Sequence, residues 1–349
     1  MKNNKAYLIS YKIKTIEALN KLNKFGFNST LFIIDENKKL LGSLTDGDIR
    51  RGLIKGLNTN SNVLKFANKK PFFLRDTNLS INKIVNLRNK AIDIFPIINE
   101  EFKVIEVINL KILKSYLPAD VLIMAGGKGE RLRPLTDKIP KPLIKINNYP
   151  ILEHNLNRLE KFGINNINIS VNYLGDQIKT YLSQKKFNNL KISFVEEDSP
   201  LGTAGSLSKL KNLSNDIIIL MNSDILTNIN YEKLCVFFEN KKADLAVVTI
   251  PYKVNIPYAI LDVKSEKIKG LKEKPSYTYY SNGGIYMFRK DILKFIPKNQ
   301  KFDATELIEL LIKKRKNVVS YILNDYWIDI GNKTDLEKAR LDFDKINFE

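Results

Sequence analysis

Apolar and polar positions alternate along this chain with two different rhythms. In the first third, Ile13, Ile16, Leu19, Leu22 and Phe25 fall at helical spacing, and Gly26 is placed to stop that helix. Residues 30–34 and 40–44 are short apolar runs of strand length, joined by a polar turn over 35–39. Thr45-Asp46-Gly47-Asp48 then opens another helix, with Thr45 or Asp46 as its N-cap. The same order returns: a helix over 79–87, strands over 94–98 and 104–108 around a turn, and a short helix over 110–116. A helix–strand–strand–helix unit is thus written twice.

Beyond Pro118 the rhythm changes. Short apolar runs at 121–124, 167–171, 192–195 and 217–220 alternate with amphipathic helices predicted at 150–162, 177–181, 203–210 and 302–312. Strands that are apolar on both faces, separated by helices, predict a mainly parallel sheet covered on both sides. Ligands of such sheets sit at the carboxyl ends of the strands. The boundary falls between Tyr116 and Asp120, giving domains of 1–117 and 120–349.

Composition changes this picture little. The 349 residues suffice for two domains with their own cores. Cys235 is the only cysteine, so no internal disulfide forms and a reducing, cytoplasmic setting is expected. The N-terminus lacks a signal-peptide core, and no run approaches membrane-span length. The net charge of +19 comes from lysines scattered over both halves, so neither nucleic acid nor a membrane is expected as a partner. A positive field also favours anionic phosphate ligands. The single histidine, His154, lies on or beside the buried side of a predicted helix and reads as structural.

The candidate chemistry centres on residues 121–142, VLIMAGGKGERLRPLTDKIPKP. A strand leads into a glycine loop, Ala125 to Gly129, whose backbone N–H groups can turn toward an anion. Arg131, Arg133, Lys138 and Lys141 follow. The run is neither the Walker loop, since the lysine–serine ending is missing, nor the dinucleotide fingerprint, since Arg131 and Leu132 stand where the third glycine should be. It reads as a polyphosphate site.

AGGKGERLRPLT followed by PKPL resembles the signature of the sugar-1-phosphate nucleotidyltransferases, and the likeness extends over about 121–341. It implies a Rossmann-like, mainly parallel mixed sheet of the nucleotidyltransferase fold. It implies transfer of a nucleotide from a nucleoside triphosphate to a sugar 1-phosphate, with release of pyrophosphate. By this resemblance Ala125, Gly126, Gly127, Gly129, Gly202 and Thr203 hold the nucleotide, and Arg131 and Lys141 act on its phosphates. Asp224 and Asp329 hold Mg²⁺, while Glu273, Lys274, Asn282 and Gly283 hold the sugar phosphate. The residue five before the PLGTAG glycine faces the base, and here it is Glu197. A carboxylate only accepts hydrogen bonds, which suits the two adjacent donors of guanine better than the mixed edge of uracil or thymine. GTP is therefore favoured over UTP or dTTP; hexosamine, mannose and heptose 1-phosphates stay open.

In the first domain, LFIIDENKKLLGSLTDGDIRRGL resembles a CBS domain, and the repeat implies a tandem CBS module. That family implies an adenine nucleotide at Thr45 and Asp48, whereas the second copy has Glu106 in place of the glycine. A ligand-free packing and dimerising unit and a nucleotide-sensing regulator both stay open, and a homo-oligomer is expected. The fusion resembles bacterial enzymes that make GDP-activated amino sugars for surface-glycan, nonulosonic-acid assembly.

Overall fold

The long apolar runs become central strands. The computed structural model describes residues 4–26 and 29–346, and the chain divides into two compact units. One comprises Met1–Pro118, Glu160–Asn165 and Lys186–Leu190, and the other holds the remaining residues.

The first unit contains β1 (Leu8–Ser10), α1 (Thr15–Phe25), β2 (Thr30–Ile34), β3 (Leu40–Thr45) and α2 (Asp46–Ile54), then β4 (Leu74–Arg75), α3 (Ile81–Asn89), β5 (Ile94–Ile98) and β6 (Val104–Asn109). Its strands form two three-stranded sheets, β1-β2-β3 and β4-β5-β6. In each, the first pair is parallel and the second antiparallel. Gly26 ends α1 with φ 77°, a conformation glycine adopts without a Cβ penalty. The helix expected over 110–116 is absent, and turns and extended backbone replace it. Pro118 biases Leu117 toward extended backbone, and both Leu117 and Ser115 are buried, which a helical stripe does not require.

The second unit runs β7 (Ala119–Met124), β8 (Lys145–Ile146), β9 (Tyr149–Pro150), α4 (Ile151–Lys161), β10 (Asn166–Val171), α5 (Gly175–Ser183), β11 (Lys191–Glu196), β12 (Ile217–Asn222), β13 (Ile225–Thr227) and α6 (Tyr231–Asn240). It continues with β14 (Leu245–Asn255), β15 (Ile260–Lys264), β16 (Lys267–Lys272), β17 (Ser276–Arg289), α7 (Ala304–Lys313), β18 (Val318–Ile322), β19 (Trp327–Asp329) and α8 (Lys333–Phe343). A seven-stranded sheet has the order β11-β10-β7-β12-β17-β14-β18. All of its pairings are parallel except those of β17. The sheet is therefore α/β and mainly parallel but mixed.

Apolar contacts explain the layering. Leu122, Ile218, Leu220 and Phe288 from the sheet pack with Leu307 and Leu311 of α7 in one buried cluster. From β7 the chain winds outward through β10 and β11, then returns to place β12 on β7's other side. That reversal leaves a crevice at the carboxyl ends of β7 and β12. Beyond the sheet, the outer halves of β14 and β17 and the β15–β16 ribbon are exposed. Residues 203–210 make only a 3-10 turn, Gly205–Lys209. The Leu207 N–H bonds Ala204 O at 3.1 Å and the Leu210 N–H bonds Leu207 O at 3.3 Å, the three-residue spacing of a 3-10 turn, while the Ala204 N–H ties the segment's start to Phe302 O.

Candidate active site

The crevice between β7 and β12 collects the chemistry. The glycine loop leaves β7, where the Ala125 N–H still bonds Ser170 O at 2.9 Å. Gly129 takes φ 64°, and a Cβ there would meet Thr136 Cγ2 at 3.0 Å and Lys141 Cβ at 3.2 Å, so glycine is required by both backbone and space. The Thr136 hydroxyl donates to Gly129 O at 2.9 Å and pins the loop's end. Gly127 faces open space, and Arg131 is exposed at the rim with its guanidinium over Gly331.

Below the loop lies Lys141, buried to 9% exposure. Its ammonium pairs with Asp224 Oδ2 and lies 3.9 Å from Asp329 Oδ1. The two aspartates meet because β13 and β19 pair antiparallel with Ile225 opposite Asp329, and the Ile330 N–H donates to Asp224 O at 3.0 Å. Asp224 Oδ1 and Asp329 Oδ1 are both buried without a hydrogen-bond partner. Burial first, and then the neighbouring Asp224 charge, raise the Asp329 carboxyl above the usual aspartate range, with Lys141 and Arg131 pulling the other way. Two carboxylates that each keep one buried, unpartnered oxygen suit a hard divalent cation such as Mg²⁺, which takes oxygen ligands and keeps room for phosphate and water. Among the described residues no third His, Cys, Asp or Glu joins them.

The cleft is continuous. A cavity of about 500 Å³ is lined by Gly126 to Arg131, Lys141, Asn172 and Asp224. It shares Gly126, Gly127, Lys141 and Asp224 with a neighbouring cavity of about 280 Å³ that reaches Glu197, Gly202, Thr203 and Asn222. Thr203 and Asn222 in turn line a third cavity, of about 250 Å³, with Asn282, Gly283, Thr305 and Trp327.

Glu197 does not hang in a solvated loop. It is 8% exposed and accepts from the Ser170 and Ser206 hydroxyls and the Leu201 N–H. Gly202 has φ 74°, and a Cβ there would lie 2.6 Å from Asp303 Oδ1. Thr203 donates its N–H to Asp303 Oδ1 at 2.9 Å and accepts from the Ala304 N–H at 2.8 Å. Asn282 bonds the Tyr286 hydroxyl and the Gly284 N–H, and Gly283 O accepts from the Trp327 indole at 2.9 Å. Glu273 and Lys274 are different: both are exposed where β16 turns into β17, and neither lines these cavities.

Sequence reasoning missed Ser170, Ser206, Asp303 and Trp327 as site neighbours. Ser170 carried a usable signal, being a polar residue in the otherwise apolar end of a buried strand. His154 donates from Nε2 to Ile146 O at 3.0 Å and packs between the Tyr149 and Phe343 rings, outside the cleft. In the first unit, Thr45 lines a cavity of about 1000 Å³ with Arg50, Ala91 and Asp93. Asp48 is used within its own helix: its carboxylate accepts from the Thr45 N–H and hydroxyl and pairs with Arg51. Among the described residues no helix is long and apolar enough to cross a membrane.

The profile described as nucleotidyl transferase matches residues 120–345. The chain is 35% identical over 236 residues to the bifunctional protein GlmU of Methanocaldococcus jannaschii, a match covering 65% of this chain and 55% of that protein. It is 30% identical over 222 residues to the mannose-1-phosphate guanylyltransferase catalytic subunit beta of Xenopus tropicalis, covering 61% of each. It is 29% identical over 225 residues to the D-glycero-alpha-D-manno-heptose 1-phosphate guanylyltransferase of Aneurinibacillus thermoaerophilus, covering 63% of this chain and 96% of that one. The match thus spans little more than half the length of the first two relatives. The crystal structure of HddC from Yersinia pseudotuberculosis complexed with GMP-PN superposes with a TM-score of 0.51 at 30% identity, covering 64% of this chain and 99% of that chain.

Proposed function

The chain belongs to the nucleotidyl transferase family, and on that premise we propose that it is a sugar-1-phosphate guanylyltransferase. The reaction joins GTP and a sugar 1-phosphate into a GDP-sugar. A phosphate oxygen of the sugar 1-phosphate attacks the α-phosphorus, and the bond to the β-phosphate oxygen breaks with its electron pair leaving on pyrophosphate. The nucleophile is already anionic, so no strong base is needed, consistent with a lone histidine outside the cleft. Catalysis is positioning and charge neutralisation.

The observation that carries this reading is the gathering of Lys141, Asp224 and Asp329 beneath the glycine loop at the β7–β12 crevice. The Gly126–Gly129 backbone and Arg131 hold the β- and γ-phosphates. Lys141 moves its charge to the α-phosphate, where negative charge accumulates as pyrophosphate departs. Asp224 and Asp329 are the residues to hold Mg²⁺, which when bound neutralises phosphate oxygens and braces their geometry. The cavity at Asn282, Gly283 and Trp327 takes the sugar. Glu197 in the adjoining wall, and the guanylyltransferases among the relatives, support GTP. A GDP-sugar of this kind supplies surface-glycan assembly.

The test is pyrophosphate release with Mg²⁺ and each of GTP, UTP, dTTP and ATP against a panel of hexosamine, mannose and heptose 1-phosphates. Turnover is expected with GTP first. Faster turnover with UTP or dTTP would remove the guanine assignment, and a Lys141→Ala protein of undiminished activity would remove the mechanism.

A further inference from the structure

Glu197 is a buried carboxylate with no cation paired to it among the described residues. Its charge is met by neutral donors instead. Oε1 receives the Ser206 hydroxyl at 2.6 Å and the Ser170 hydroxyl closer still, and Oε2 receives the Leu201 N–H at 3.0 Å. Both serines are fully buried. Their oxygens lie 3.2 Å apart, so the single Ser170 proton has two acceptors within reach, of which the carboxylate is the closer. A carboxylate offers about four acceptor positions, two on each oxygen. Oε1 is therefore full, and one position on Oε2 stays open.

This carboxylate, with one acceptor position open, forms part of the wall of the cleft beside Gly126 and Gly127. A Cβ on Gly126 would lie 3.6 Å from Oε1, so the loop passes directly over it.

We propose that Ser170 and Ser206 are specificity-determining residues that act through Glu197. By filling Oε1 they fix the carboxylate's plane and make Oε2 the single acceptor presented to the base. The inference rests on reading the cleft as a nucleoside triphosphate site. A guanine edge puts one N–H on the open position of Oε2 and sets a second N–H, not a carbonyl oxygen, beside the carboxylate. An edge whose donor is flanked by carbonyl oxygens, as in uracil, sets those oxygens against the carboxylate. Neither serine touches the base, so both are positioning residues.

The experiment measures kcat and KM for GTP and UTP separately on the full chain with Mg²⁺, for the wild type, Ser170→Ala, Ser206→Ala and Ser206→Cys. Each alanine variant should reduce the ratio of preferred to disfavoured kcat/KM by about tenfold or more, since each removes a hydrogen bond to a charged group. The loss should fall on the KM of the preferred nucleotide, with kcat little changed. Ser206→Cys keeps a weak donor and should lie between, and it carries the test if an alanine variant fails to fold. Equal weakening of both nucleotides at an unchanged ratio would overturn the proposal. A wild type that prefers UTP would instead refute the guanine assignment, and the same ratio, now taken for UTP, would still decide the role of the serines.

Discussion

Replacing Lys141 by methionine keeps the side chain as far as its Cε and removes the charged nitrogen. In the wild type that charge touches Asp224 and lies 3.9 Å from Asp329. At an effective permittivity of 20 the longer contact alone corresponds to about 4 kcal/mol of gross attraction. Solvent reduces it, because the side chains are 11% (lysine), 20% (Asp224) and 41% (Asp329) exposed. Breaking a well-buried pair costs about 3–5 kcal/mol; with this exposure we expect about 2 kcal/mol, a fall of roughly 4–8 °C in Tm. The loss should depend on what else fills the space between the carboxylates. With EDTA the variant should melt well below the wild type. With Mg²⁺ or Mn²⁺ the gap should narrow, because the metal no longer competes with a lysine and binds more tightly in the variant. Pyrophosphate formation should still fall by about a hundredfold or more, since the cation proposed to meet the α-phosphate is gone. Thermal melts in EDTA and in Mn²⁺, with calorimetric Mn²⁺ titration, supply the readings. Equal melting points in EDTA, or equal metal increments in both proteins, would refute the bridging role assigned to Lys141.

Gly202→Ala forces a side chain onto φ 74° and places its Cβ 2.8 Å from Phe302 O, a backbone atom that cannot swing aside. A cost of at least about 1–2 kcal/mol and a raised nucleotide KM are expected, and an unchanged KM would count against the loop's place in the site. Burial depresses the His154 imidazolium, with its bond to Ile146 O opposing. A base whose folded pKa is lowered takes up its proton first in the unfolded chain, so stability is lost as pH falls through about 6.5. Because His154 is the only histidine, His154→Gln should flatten the decline in Tm between pH 7.5 and 5.5, and an unaltered slope would show the effect lies elsewhere.

The central strands were legible because burial on both faces leaves nothing but apolar residues, as at Val121–Met124 and Ile217–Leu220. β14 and β17 were harder. They run 11 and 14 residues, but only their inner halves are buried, and tyrosines and lysines break the pattern beyond. The glycine loop announced itself through residue types. That Asp224 meets Asp329 came only through the family resemblance, because it depends on the pairing of β13 with β19, which no local signal encodes. For the same reason the position of Lys141 between them, 83 residues before Asp224, could not be read from spacing. Glu273 and Lys274 owe their expected role to a motif alone, and both stand exposed where β16 turns into β17. Thr45 and Asp48 formed a legible pair, but the physics that joins them is that of a helix cap.

Asp303 joins two segments that lie 100 residues apart. Its carboxylate holds the Thr203 N–H, and as N-cap of α7 it also forms the capping box with Glu306. Thr203 cannot shift without loosening the first turn of that helix, a cost of about 0.5–2 kcal/mol. Thr203 borders one cavity with Glu197 and another with Thr305 and Trp327. For anyone redesigning the protein, the two ends of the cleft are therefore not separable modules. A substitution that moves this loop on the Glu197 side also reshapes the cavity at Asn282, Gly283 and Trp327, so the two cavities have to be redesigned together.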